Sequence, residues 1–183
     1  MAHNFNIACI NQCTEAEGPG KRFAIWFQGC DKKCAGCCNP ELFEVKPAHI
    51  LSLDEVLKII VDAKDNFKIE GVTYLGGEPT LQNGLLKLSK EIKKLGLGVI
   101  LLTGNKFESL DIDLISAVDL IIDGQFEIDK PDNDRNLIGS TNQNIIFITE
   151  RYKNFKNWFY DYRPKRIEIN IGTELFLTGD KVL

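Results

Sequence analysis

The run Arg22-Phe-Ala-Ile-Trp-Phe-Gln28 is apolar at successive positions, so a strand there would be covered on both faces. Ser52-Leu-Asp-Glu55 has the form of a capping box, and Leu53, Val56, Leu57, Ile60 and Val61 then repeat with helical spacing. Gly71-Val-Thr-Tyr-Leu75 predicts a second strand running into Gly76-Gly-Glu-Pro79. Leu85, Leu88, Ile92 and Leu95 line the next helix, which Gly96 stops. A strand from Val99 to Leu102 ends at Thr103-Gly104, and Phe107, Leu110 and Leu114 suggest a short helix. A strand from Leu120 to Ile122 ends at Asp123-Gly124. The polar stretch from Lys130 to Ser140, with Pro131, predicts a loop, and Ile145 to Thr149 another strand. Tyr152, Phe155, Phe159 and Tyr162 share a helical face. Arg166 to Ile171 and Leu175 to Thr178 flank Gly172-Thr173 as a terminal hairpin.

Such alternation implies a mainly parallel sheet with right-handed crossovers. It amounts to about five strand–helix units, short of the eight of a closed barrel. The expected fold is therefore α/β, an open partial (β/α) barrel or a doubly wound sheet, with the hairpin at its end and residues 1–183 forming a single domain. In both architectures ligands collect at the carboxyl ends of the strands. The chemically unusual residues fall at such ends: Cys30 onward, Gly76 to Pro79, Thr103-Gly104 and Asp123-Gly124.

Composition narrows the class. With 44% hydrophobic and 26% charged residues, the 183-residue chain reads as an ordinary globular protein, without repeats or low-complexity tracts. A net charge of −4 supplies no broad basic footprint, so nucleic acid is not an expected partner. No apolar run approaches the roughly 20 residues of a membrane span, and Met1 to Gln12 lacks the pattern of an export signal. The expected location is the cytoplasm. There, six cysteines point to metal ligation or catalysis rather than disulfides.

Four of the six, Cys30, Cys34, Cys37 and Cys38, lie within nine residues, the first three spaced C-x3-C-x2-C. Thiolates are soft ligands suited to zinc, copper(I) or iron–sulfur clusters. Three cysteines on a four-iron cluster leave one iron open to a small molecule. The alternative is a zinc knuckle completed by Cys38, Cys13 or His49. Cys38 otherwise reads as a small loop residue, and Cys9 as core.

Trp26-Phe-Gln-Gly-Cys30, the cysteine spacing, Asn39-Pro-Glu41 and Glu17-Gly-Pro-Gly20 together resemble the radical S-adenosylmethionine (SAM) superfamily. Within it they are similar to the small activating enzymes of glycyl-radical enzymes. Gly76-Gly-Glu-Pro79 resembles that family's amine-binding turn; Asp123-Gly124, Gly139 to Gln143 and Thr178-Gly179 resemble its later motifs.

The resemblance implies that Cys30, Cys34 and Cys37 hold a [4Fe-4S] cluster whose open iron takes SAM. It implies that Gly76, Gly77, Glu78 and Pro79 receive the ligand, with Glu78 facing its ammonium. Thr103 would meet the ligand's carboxylate, Asp123 its ribose or ammonium, and Asn39 would cap or position the cluster loop. Trp26 and Phe27 would pack beneath the cluster. The implied partners are a glycyl-radical enzyme or other macromolecular substrate and an external electron donor such as flavodoxin or ferredoxin. A basic face over Lys153, Lys156, Arg163, Lys165 and Arg166 is expected to be solvated. A standalone radical SAM enzyme acting on a peptide or small molecule, and a non-catalytic iron–sulfur or zinc binding module, remain as alternatives.

Overall fold

A computed structural model describes residues 3–161, 167–171 and 175–179. Its elements in chain order are β1 (Asn4–Thr14), β2 (Arg22–Phe27), β3 (His49–Ser52), α1 (Leu53–Phe67), β4 (Gly71–Gly76), α2 (Leu85–Lys94), β5 (Gly98–Leu102), α3 (Ile112–Ser116), β6 (Leu120–Asp123), β7 (Asn144–Phe147), α4 (Lys156–Tyr160), β8 (Ile167–Ile171) and β9 (Leu175–Gly179). Seven strands form one open sheet in the order β3-β1-β2-β4-β5-β6-β7, and β8 pairs with β9.

The centre of the sheet is parallel: β2, β4, β5 and β6 run the same way, joined through α1, α2 and α3. The helical crossovers are thus fewer than the expected units. The polar segment from Lys130 to Ser140 forms no helix, so the chain turns back and β7 pairs antiparallel with β6. On the other side β1 lies antiparallel between β2 and β3. The mixed α/β sheet with its parallel centre and C-terminal hairpin is the expected fold class.

Local chemistry sets the boundaries. Ser52 Oγ accepts the Glu55 N–H at 3.3 Å while Glu55 Oε2 accepts the Ser52 N–H at 2.8 Å, closing the capping box before α1. Past α2, Gly96 adopts φ +77°, a left-handed turn that glycine enters without strain.

Strand periodicity sorts the core. Phe23, Ile25, Phe27, Val99, Leu101 and Ile121 face the helices and meet Val56, Ile60, Leu88 and Ile92. Ala24, Trp26 and Leu75 face the other way and pack on Leu42. Ile100, Leu120 and Ile122 share that second face with Tyr152 and Phe159. The expected single helical face over 152–162 is split. Residues Glu150–Phe155 wind as a 3-10 helix before α4, burying Tyr152 and Phe159 but leaving Phe155 40% exposed. Tyr162 lies outside the described residues.

Trp26 and Phe27, expected side by side beneath the cluster, point to opposite faces as adjacent strand residues must. Trp26 joins Leu42, Leu75 and Cys9, whereas Phe27 packs on Phe5 and Tyr74 under the helices. Burial beside Trp26 pushes the Cys9 thiol up to about 12, so it behaves as an apolar core group.

Candidate active site at the carboxyl rim of the parallel strands

Because β2, β4, β5 and β6 are parallel neighbours, the segments that follow them emerge along one rim. Backbone hydrogen bonds stitch them in order. Gly77 N donates to Phe27 O and Glu78 N to Gly29 O, each at 2.8 Å, joining the β4 turn to the cysteine loop. Thr103 N reaches Ile122 O at 2.9 Å, and Gly124 N reaches Asn105 O at 3.0 Å.

The two glycines of the β4 turn serve this stitching. A Cβ on Gly77 would stand 2.1 Å from Gly29 O, and one on Gly76, at φ +101°, 2.5 Å from Phe27 N. Their bareness lets two loops meet backbone to backbone. Replacing Gly77 by alanine should cost about 1–3 kcal/mol or more, because the obstructing atoms are backbone and cannot rotate away. A chemical denaturation midpoint unchanged in Gly77→Ala would refute this.

Glu78 is the centre of the rim. It is 1% exposed, and every bond made to it comes from a named donor. Oε1 accepts the Thr103 hydroxyl at 2.7 Å, the Thr80 hydroxyl at 2.7 Å and the Thr80 N–H at 3.1 Å; Oε2 accepts the Gly104 N–H at 2.8 Å. Asn105 Nδ2 then donates to Thr80 Oγ1 at 2.8 Å and to Thr103 Oγ1 at 3.3 Å, fixing both hydroxyls from behind. Pro79 is buried and opens the 3-10 turn Pro79–Leu81, for which Glu78 is the N-cap. The result is a buried carboxylate held rigidly by neutral donors.

Thr103, expected to face a ligand carboxylate, donates its hydroxyl hydrogen bond to Glu78 Oε1. Asp123 is also buried and engaged: Oδ2 accepts the Phe107 N–H at 2.8 Å, and Oδ1 accepts Asn144 Nδ2 at 2.9 Å and Asn144 N at 3.2 Å. It ties β6 to β7 and to the segment after β5, so it positions the rim. Sequence reasoning had no signal for Thr80 or Asn105 as supports of Glu78, since turn polarity is commonplace.

The cysteine loop lies directly over this rim. Cys30 is buried, Cys34 and Cys37 are half-buried, and Cys38 is exposed. Cys37 N donates to Cys34 O at 3.2 Å, and Asn39 N donates to Cys37 Sγ at 3.4 Å. Asn39 makes no side-chain cap on the following 3-10 turn, Pro40–Leu42; its contribution to the loop is this backbone bond to sulfur. Burial raises the Cys34 thiol pKa, as do Cys37 and Cys30 nearby, while the Phe126 backbone, hydrogen-bonded to it, opposes them. Gly36, at φ +72°, presses this loop onto Ile128 and Phe126: a Cβ there would lie 2.6 Å from Ile128 Cδ1.

Among the described residues no three His, Cys, Asp or Glu side chains gather around a point that one metal ion could fill. A cubane cluster spreads its thiolates over different irons, so its ligands need no common centre. Three thiols from one short loop, with backbone N–H groups reaching the sulfurs of Cys34 and Cys37, are a donor set that fits such a cluster. Cys13, offered as a fourth zinc ligand, sits on β1 between Asn11, paired with Ala24, and Thr14, paired with Arg22. That is the opposite end of β2 from Cys30, on the order of 16 Å down the strand. His49 pairs with Ile7 across β1 and β3, and is exposed.

Other motif residues lie elsewhere. Glu17-Gly-Pro-Gly20 is at the far end of β2, where Glu17 O accepts the Thr73 hydroxyl at 2.8 Å and Glu17 Oε1 accepts the Gly179 N–H at 3.1 Å. The segment from Gly139 to Gln143 is a turn closed by its own glutamine: Gln143 Oε1 accepts the Gly139 N–H at 2.9 Å, and Nε2 donates to Gly124 O at 2.9 Å. Of the basic face, Lys153 pairs with Glu150 and Lys156 lies over the Tyr160 ring, while Arg163, Lys165 and Arg166 lie outside the described residues.

Residues 16–146 match the family model described as a 4Fe-4S single cluster domain. The anaerobic ribonucleoside-triphosphate reductase-activating protein of Enterobacteria phage T4 is 28% identical over 147 residues, 77% of this chain and 93% of that protein. The pyruvate formate-lyase-activating enzyme of Staphylococcus aureus is 31% identical over 153 residues, 76% of this chain and 60% of that enzyme. Among solved structures, QueE from Escherichia coli superposes with a TM-score of 0.47 at 21% identity, covering 56% of this chain and 53% of that one. The chain belongs to the 4Fe-4S single cluster domain family. Its resemblance to radical SAM enzymes of the activating type is borne out by these relatives, and with it the expectation of an enzyme. No helix among the described residues is long and apolar enough to cross a membrane.

Proposed function

We propose that this chain is a radical SAM activating enzyme that generates a glycyl radical on a partner protein. Cys30, Cys34 and Cys37 would hold one [4Fe-4S] cluster, and the β4 turn with Glu78 would receive the ammonium of SAM. When bound, the cluster supplies an electron that cleaves SAM to methionine and a 5′-deoxyadenosyl radical competent to take hydrogen from a glycine. The chain's own residues bind and orient. Glu78, already aligned by Thr80, Thr103 and Gly104, would offer a fixed negative end for an ammonium once the groups that cover it open. Trp26, Leu42 and Leu75 give this end of the sheet an apolar floor that limits water. An external one-electron donor such as flavodoxin or ferredoxin is required, since the cysteine motif accounts for one cluster.

The observation that carries this reading is the direct backbone bonding of the Gly76–Pro79 turn to the loop that starts the cysteine motif. The experiment is anaerobic reconstitution with iron and sulfide, reduction with dithionite, and chromatographic detection of 5′-deoxyadenosine from SAM. Co-expression with a candidate glycyl-radical enzyme should then give the doublet EPR signal of a glycyl radical. Turnover of SAM without any such signal would favour a small-molecule or peptide substrate instead.

Glu78→Gln should retain iron yet weaken SAM binding by about 10- to 100-fold, the scale of one charge-assisted hydrogen bond. Equal affinities by titration calorimetry would remove Glu78 from the amine site.

A further inference from the structure

The segment that leaves β6 is gripped by side chains of one later turn. Gln143 Nε2 donates to Gly124 O at 2.9 Å, Asn142 Nδ2 donates to Gln125 O at 2.8 Å, and Ser140 Oγ accepts the Glu127 N–H at 3.0 Å. Ser140 is fully buried. Gln143 Oε1 braces the turn itself by accepting the Gly139 and Ser140 N–H groups at 2.9 and 3.1 Å. Residues 124, 125 and 127 are thus each tied to the turn. Phe126, between them, has its backbone hydrogen-bonded to Cys34.

The Phe126 ring is fixed as well, because it lies between two glycines from distant parts of the chain. A Cβ on Gly139 would stand 2.9 Å from Phe126 Cδ2 and 3.3 Å from Cε2. One on Gly36, which lies between Cys34 and Cys37, would stand 3.5 Å from Phe126 Cε1. The turn therefore bears on the ring from one side and the cysteine loop from the other. What this double support fixes is the aim of a single N–H, and a hydrogen bond weakens steeply once its angle is lost.

An N–H dipole aimed at a ligand sulfur favours the more negative, reduced state of a cluster and so raises its reduction potential. We propose that the turn from Gly139 to Gln143 is a positioning device that holds the Phe126 N–H on Cys34 Sγ and keeps the cluster within reach of its external electron donor. This rests on the reading that Cys34 is a cluster ligand. The turn acts through Phe126, so its residues set a potential without ligating iron.

The test uses reconstituted protein without SAM, as wild type, Ser140→Ala, Gly139→Ala and Phe126→Leu, with iron content and an EPR-monitored redox titration of each. Ser140→Ala removes the acceptor of the Glu127 N–H, and Gly139→Ala displaces the Phe126 ring. Both should retain wild-type iron. Their half-reduction should move to more negative potential by about 60 mV, the equivalent of a tenfold change in a one-electron equilibrium. In protein labelled with 15N-phenylalanine, pulsed EPR of the reduced cluster should show a nitrogen coupling in wild type that is missing from Phe126→Leu. Identical couplings in those two proteins would overturn the bond, and an iron-loaded turn variant with the wild-type potential would overturn the role of the turn. Loss of iron from both turn variants would show that the turn only shapes the loop, which also overturns the proposal. A wild type that takes up no cluster would overturn the parent reading and this one together.

Discussion

Replacing Cys34 by alanine should give a folded protein that holds essentially no iron, against roughly four iron atoms per chain in the reconstituted wild type. Two physical facts separate ligand loss from unfolding. Cys34 is half-buried, and the path of its loop is held by backbone groups: Gly29 N to Leu42 O at 3.0 Å, Cys30 N to Phe43 O at 3.3 Å, and Cys37 N to Cys34 O. Removing a partly exposed sulfur from such a loop should change apo-protein stability by no more than about 0.5 kcal/mol. The cluster, in contrast, has three protein ligands in this reading, and two thiolates are too few to hold it. Cys30→Ala and Cys37→Ala should match Cys34→Ala, whereas Cys38→Ala should reconstitute like wild type. Iron and sulfide assays with the visible charge-transfer band measure all four. Iron lost from Cys38→Ala but kept in Cys34→Ala would show that the triad is wrongly drawn. One tightly held zinc per chain, with no uptake of iron, would sink the cluster altogether.

The cysteine spacing was legible in the sequence because its information is local: three soft donors spaced to fit one loop. The same holds for β2, whose six residues are all buried, and for α1, where capping box and apolar stripe agree. β1 escaped detection because its pattern changes phase. Phe5 and Ile7 alternate inward, but register shifts between Ile7 and Cys9 and between Asn11 and Thr14 break the period, and buried Asn11 reads as loop. β3 is short and half-exposed, so it leaves almost no hydrophobic trace.

The support of Glu78 was hidden for another reason. Thr103, Gly104 and Asn105 lie some 25 residues along the chain, and only the parallel pairing of β4 with β5 brings them across. The strand pattern put Thr103 and Asp123 at the carboxyl ends of strands, where the structure has them. It could not tell that each is already bonded to the protein, because that depends on geometry rather than residue type. Glu17-Gly-Pro-Gly20 makes the converse point. Near the cysteines in sequence, it lies a whole strand length away from them in space, bound to the C-terminal hairpin.

At that far end Arg22→Leu should be the most destabilising single change, costing about 3–5 kcal/mol. Arg22 opens β2 and is fully buried. Its Nε donates to Thr73 Oγ1 at 3.0 Å, and Nη2 to Val72 O at 2.6 Å and Gly98 O at 3.4 Å. Nη1 donates to the Tyr152 hydroxyl, and the guanidinium also lies 5.3 Å from that ring's centroid. Burial lowers its pKa and Tyr152 opposes the shift. One side chain thus joins β2, β4 and β5 to the aromatic segment that covers the sheet's second face. Leucine would strand several buried acceptors in an apolar space, where each costs about 1–3 kcal/mol. For a chain of this length, the expected fall in melting temperature is roughly 6–20 °C. Tyr152→Phe removes one hydrogen bond but keeps the ring, and should cost only about 1 kcal/mol. Because Arg22 lies about 16 Å of strand below the cysteine loop, Arg22→Leu protein kept cold should still take up iron. Melting of apo-protein followed by circular dichroism, with iron uptake measured at low temperature, tests both halves. Wild-type melting in Arg22→Leu would dismiss the clamp, and iron loss in the still-folded variant would show that the two ends of β2 are coupled.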